Sequence, residues 1–119
     1  MREPIRDLSR LQHILEQIDF VAEYVSTHTY EDLLSNKLTQ YGLVKCIEII
    51  GEAAYMLSLD FKEQHPQTNW RIIVNMRHVL VHGYFNITMP MVWATATTDL
   101  PTLRPQIVQY ISELEEKNK

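Results

Sequence analysis

The chain of 119 residues is long enough for one domain with a buried core and too short for two. Its apolar content of 45% excludes wholesale disorder, and its three glycines are too few for a turn-rich sandwich or barrel. A formal net charge of −4 argues against a general nucleic-acid coating protein, which would gain affinity by neutralising phosphates, but leaves room for a locally basic cleft. The single cysteine, Cys46, cannot form an internal disulfide. Within Val44-Lys45-Cys46-Ile47 it reads as a small buried hydrophobe in a reducing, cytoplasmic setting. Residues 1–7 carry acidic groups with no apolar run behind them, so no signal peptide is expected, and no stretch is apolar enough to span a bilayer.

In chain order, Leu8, Leu11, Leu15, Ile18, Ala22 and Val25 recur in alternating steps of three and four. This heptad seam predicts a helix over about residues 4–27. Thr29-Tyr30-Glu31-Asp32 has the form of a capped start to a short helical turn through Leu34, and Ser35-Asn36 offers the next cap. From there a helix is expected to about Leu59. Its two apolar rows, through Leu43, Ile47 and Ile50 and through Cys46, Ile49 and Ala53, make it the central helix. Gly51 lowers helix propensity by ~1 kcal/mol, which close approach of a neighbouring helix would explain. His65-Pro66-Gln67-Thr68-Asn69 reads as a loop whose Thr68 or Asn69 caps a helix from Trp70 to about His82, with Gly83 in the C-terminal capping place. Thr88-Met89-Pro90 opens the next helix, and Pro101 and Pro105 predict a break or kink near residues 99–101. Leu103, Ile107, Tyr110, Ile111 and Leu114 line the last helix. No segment alternates like a strand. The expected fold is all-α, an antiparallel four- to five-helix bundle forming a single domain over residues 1–119.

Chemistry concentrates in Arg77-His78-Val79-Leu80-Val81-His82-Gly83-Tyr84, a guanidinium, two imidazoles and a phenol at one helix end. Arg77 interrupts the apolar row Trp70, Ile73, Leu80, and an arginine on a packed row needs a partner. Three readings compete. In the structural one, Arg77 pairs with Glu48 or Glu52, and the histidines favour the helix C-terminus. In the second, His78 and His82, one turn apart, hold a metal; no third ligand is in sight and the His-Glu-x-x-His pattern is absent. In the third, Arg77 stabilises charge on a phosphoryl oxygen and His82 moves protons. Five positions separate these two, about 140° around an ideal helix, so they converge only where the helix ends, as Gly83 allows. Glu48 and Glu52, also one turn apart, read as partners for Arg77 or Lys45 before they read as an acid–base pair. Trp70, Trp93, Tyr84 and Phe85 could stack on bases, although in a small bundle such rings are more often core or interface anchors.

Arg77-x4-His82-x-Tyr84 resembles the signature of the HEPN superfamily, specifically the HepT-like ribonuclease toxins of prokaryotic toxin–antitoxin pairs. Residues 47–54, Ile-Glu-Ile-Ile-Gly-Glu-Ala-Ala, resemble that family's central helix, and Trp70, Phe85, Val92-Trp93 and Asp99-Leu100-Pro101-x-Leu103 fall where it has similar residues. The resemblance implies a homodimeric bundle that cleaves RNA without a metal or other cofactor. It implies Arg77 and His82 as catalytic residues; Glu48 and Glu52, read above as charge partners, and His78 are expected in supporting roles. One His82 can hardly perform both proton transfers at once, so the site would form across the dimer dyad. The implied partner, in a type VII-like toxin–antitoxin pair, is a nucleotidyltransferase antitoxin that neutralises the toxin by adding AMP to Tyr84. Two positions depart from the family pattern: His78 stands where asparagine is usual, and Thr88 where aspartate is frequent. The alternative is a non-catalytic helical module that binds a nucleotidyltransferase.

Overall fold

The computed structural model describes residues 6–82 and 89–118, and for 77–82 it describes the backbone alone. The expected capping residues Gly83 and Thr88 therefore lie outside the described residues, as does the start of the first helix before residue 6. Every regular element among the described residues is helical. The first, α1 (Asp7–Thr27), packs against both α3 (Lys37–Met56) and α7 (Leu100–Lys117), while α3 also packs against α5 (Trp70–His82). The central position expected of the third helix is thus observed. Its inner row of Leu43, Ile47, Ile50 and Ala54 is buried.

The seam of α1 lies to one side of the expected row. Asp7, Leu11, Ile14, Ile18 and Val21 are buried, Leu8 and Leu15 are half-buried, and Ala22 is exposed. The buried residues keep the alternating steps of four and three and share Leu11 and Ile18 with the expected row, but the face is turned toward Ile14 and Val21, on a helix that contacts both α3 and α7. The short α2 (Tyr30–Leu34) has the expected capping box. The Thr29 hydroxyl accepts the Asp32 N–H at 3.1 Å, and the Asp32 carboxylate accepts the Thr29 N–H at 2.8 Å. That bond to the Thr29 backbone holds the Asp32 carboxyl below its ordinary range. Asn36 caps α3 by accepting the Thr39 N–H.

The third helix ends at Met56, short of the expected Leu59, and a further helix, α4 (Leu59–Gln64), follows. The cause is a tertiary contact. The Asp7 carboxylate, 4% exposed, accepts the Ser58 N–H at 2.8 Å and the Ser58 hydroxyl at 2.7 Å. Ser58 Oγ in turn accepts the Phe61 N–H at 3.1 Å and caps α4. The Lys62 ammonium then donates to the carbonyls of Ala54 and Tyr55, closing the C-terminus of α3.

Residues 65–69 form the expected loop. Thr68 is buried and has one proton, which it donates to Gln106 Oε1, so the Tyr110 hydroxyl donates to Thr68. His65 lies between Phe61, with ring centroids 4.1 Å apart, and Tyr110, 4.5 Å away. Its Nδ1 donates to the Phe61 carbonyl at 2.8 Å and its Nε2 faces Glu113 at 3.1 Å. Both contacts, the Phe61 carbonyl and the Glu113 carboxylate, tie the ring between α4 and α7. After α6 (Met89–Ala94) the chain passes through a π-helical turn, Thr95–Asp99, directly into α7. The break expected from Pro101 is this widened turn: Leu100 N–H reaches back five residues to the Thr95 carbonyl. Pro101 follows directly on the widened turn, in the first turn of α7, and Pro105 lies inside that helix.

Asp7→Ala should lower unfolding free energy by about 2 kcal/mol in urea titration, because it leaves the buried Ser58 donors unpaired; an unchanged midpoint would remove the contact from the account. The Gln109 amide, followed by His65, holds the Glu113 carboxyl below its ordinary range. Its contribution is therefore complete above the usual glutamate range and is lost as pH falls through the folded value. Glu113→Gln should flatten the acid limb of a plot of Tm against pH.

Candidate active site

The motif residues Arg77, His78 and His82 occupy the last turns of α5. The start of that helix is held at several points. Asn69 Oδ1 accepts the Ile72 N–H at 3.2 Å, the Trp70 indole donates to the His65 carbonyl at 3.0 Å, and the Trp70 ring meets Phe61 edge-on with centroids 5.9 Å apart. Of the two expected caps, Asn69 therefore serves the helix, while Thr68 is turned to α7. Trp70 and Ile73 are buried, as their apolar row requires, and position 77 follows Ile73 by four residues, about one turn. The side chains of Arg77, His78 and His82, and all of Tyr84 and Phe85, lie outside the described residues.

Helices α3 and α5 run antiparallel. Ile47 shares a cavity wall with Met76, whereas Tyr55, eight residues further along α3, shares one with Arg71 and Val74. The backbone of residues 77–82 therefore continues past the half of α3 that precedes Ile47. Glu48 and Glu52 are set one turn apart on α3. Glu48 is half-buried and accepts the Lys45 ammonium at 3.2 Å, one of the two partners expected for it; the other, the Arg77 side chain, lies outside the described residues. That pair is exposed on the Lys45 side and contributes little to stability. Cys46 is half-buried, and burial pushes its thiol up, away from the reactive thiolate. Among the described residues no group of three His, Cys, Asp or Glu side chains converges as a metal site.

Beside the last described side chains of α5 lies an apolar cavity of about 280 Å³, lined by Ile47, Asn75, Met76, Met91, Thr95 and Asp99. It is bounded by α3, α5, α6 and the π turn. Asn75 and Asp99 were not legible as wall residues from sequence. For Asp99 the nearest signal is Pro101, which marks the irregularity that turns this segment. The aromatic alternatives divide. Trp70 is a core ring, and Trp93 is half-buried with its ring 5.9 Å from that of Tyr30. No helix among the described residues is long and apolar enough to cross a membrane.

The family model described as "Ribonuclease HepT-like" matches residues 14–110. The chain is 37% identical over 94 residues to a probable ribonuclease HepT of Thermococcus cleftensis, covering 79% of this chain and 86% of that protein. It is 32% identical over 115 residues to a protein of Methanocaldococcus jannaschii named as a candidate RNase, covering 96% and 99% of the two chains. A longer M. jannaschii protein, named as a gamma-glutamylcyclotransferase and candidate RNase, is 35% identical over 109 residues, which are 92% of this chain and 49% of that one. No solved structure matches the chain. With the family's model spanning α1 to α7 and the Arg77-x4-His82-x-Tyr84 motif inside the matched region, the chain belongs to the HepT-like ribonuclease family.

Proposed function

We propose that the protein is a metal-independent endoribonuclease whose reactive groups are Arg77 and His82, and that it acts as the toxin of a toxin–antitoxin pair. The observation that carries this reading is the Arg77-x4-His82-x-Tyr84 motif at the end of α5, in a chain of a ribonuclease family. The chemistry asks for what these residues supply. An RNA 2′-hydroxyl attacks the adjacent phosphorus and loses its proton to a base. The bond to the 5′-oxygen breaks and that oxygen takes a proton from an acid, leaving a 2′,3′-cyclic phosphate and a 5′-hydroxyl. His82 exchanges protons near neutral pH, and the Arg77 guanidinium stabilises charge on the pentavalent phosphorus.

One histidine holds one proton at a time, so a homodimer that joins two copies of the motif across its dyad supplies both acid and base. His78 stands beside Arg77 as a further donor or acceptor, and of the supporting carboxylates on α3, Glu48 is the nearer to position 77 in the antiparallel register, with Glu52 one turn further away. A nucleotidyltransferase partner that attaches AMP to Tyr84, two residues from His82, places bulk and negative charge where an RNA phosphate has to sit. The cytoplasm, where RNA and such a partner are both present, is the setting this reading requires.

Induced expression of wild type should arrest growth and degrade total RNA on a gel, and purified protein should cut RNA in the presence of EDTA. His82→Ala should lose cleavage by about a hundredfold or more. If both proteins stay folded and neither cuts RNA, the non-catalytic nucleotidyltransferase-binding module becomes the better reading, one to which His78 in the asparagine position already lends some support. With the partner enzyme and labelled ATP, wild type should take up AMP, and Tyr84→Phe should take up none.

A further inference from the structure

Arg71 has no evident structural reason to be where it is. It occupies the first turn of α5, where the helix dipole disfavours a cation. It is exposed, and no carboxylate lies within ion-pair distance of it among the described residues. Helical spacing offers it no acidic neighbour either: Gln67 and Thr68 precede it, and Val74 and Asn75 follow. A cation kept in an unfavourable place, in a chain of net charge −4, points outward to a ligand.

Its surroundings say which ligand. Arg71 and Asn75 line a cavity of about 350 Å³ between α3, α4 and α5, together with Tyr55, Lys62 and Glu63. The Lys62 ammonium lies 5.8 Å from the centre of the Tyr55 ring, and Tyr55 as a whole is 39% exposed. Two cations against one carboxylate, beside an accessible aromatic, are the pairing that single-stranded nucleic acid uses. Register supplies the link to the site. At 100° per residue, positions 71, 75, 78 and 82 of α5 fall within a sector of about 60°, and position 71 precedes position 82 by about 16 Å along the axis.

We propose that Arg71 and Asn75 form a substrate track that takes the backbone of single-stranded RNA to one side of the cut, Arg71 on a phosphate and Asn75 on the adjoining sugar or base. The inference rests on the ribonuclease reading above and adds to it a polarity: RNA enters along the length of α5, and its strand beyond the cut lies over the groove walled by Tyr55. Arg71 is a specificity-determining residue that contributes affinity and register, not proton transfer.

The test compares wild type, Arg71→Ala and Arg71→Lys on a fluorescein-labelled single-stranded RNA of mixed sequence, with folding checked by thermal melting. Arg71→Ala should raise KM about fivefold with kcat within about twofold, and should reduce the slope of log affinity against log salt by about one; Arg71→Lys should restore that slope. Equal KM and salt slope in wild type and Arg71→Ala would overturn the track while leaving the ribonuclease reading intact. So would a fall in kcat alone. If wild type does not cut RNA, the ribonuclease reading fails, and anisotropy with the same RNA decides the track: weaker binding by Arg71→Ala sustains it. Equal binding, or none, overturns it. Unchanged RNA binding with lost capture of the nucleotidyltransferase would overturn it in favour of a protein-docking surface.

Discussion

The carboxylate of Asp7, buried against Ser58, is the contact on which the placement of the later helices depends. It spans 51 residues of sequence and joins the beginning of α1 to the corner after α3. With Ser58 held, the chain turns into α4. Lys62 then closes the end of α3, while Phe61 and His65 face Tyr110 of α7. The His65 carbonyl holds Trp70, and Asn69 starts α5. The motif at the far end of α5 thus stands on a sequence of short-range contacts that begins with one buried acid. A buried acid in that position is tolerated because both of its oxygens accept hydrogen bonds.

Much of this architecture is legible in the sequence wherever the signal is local. The capping box at Thr29, the cap at Asn36, the loop at 65–69 and the span of α5 follow from side chains that satisfy the backbone a few residues away. The periodicity of α3 identifies it as central because both of its rows are apolar. What is not legible depends on partners distant in sequence. Ser58 looks like the interior of a long helix until Asp7 is beside it. The buried row of α1 keeps heptad spacing but is turned toward Ile14 and Val21, a choice of face that depends on where α3 and α7 lie. Pro101 signals an irregularity, but only three-dimensional packing decides that the chain widens instead of breaking.

The candidate site divides along the same line. Arg77, His82 and Tyr84 are visible as a motif because chemistry-bearing residues crowd into one short stretch. The surfaces leading to them are not visible, since Asn75, Asp99 and Arg71 become wall residues only when α3, α4, α6 and the π turn are packed beside α5. Net charge is a poor guide at this scale. The acidic residues of α1, α2 and the end of α7 set the sign of the whole chain, while a groove on α5 has the opposite balance.

The π turn at Thr95–Asp99 acts as a phase corrector. Val92, Ala96 and Leu100 are all buried, and two successive steps of four on an ordinary α-helix would carry the third about 80° away from the first. The wider hydrogen-bond ring takes up that drift, so one continuous rod keeps the same side inward from α6 through α7. The helix therefore counts one residue more than its length as a regular spiral would need. Thr95, Asp99 and Met91 are held on the wall of the cavity beside α5 by that surplus, which ties the shape of the cavity to the number of residues between Val92 and Leu100 as much as to their identity.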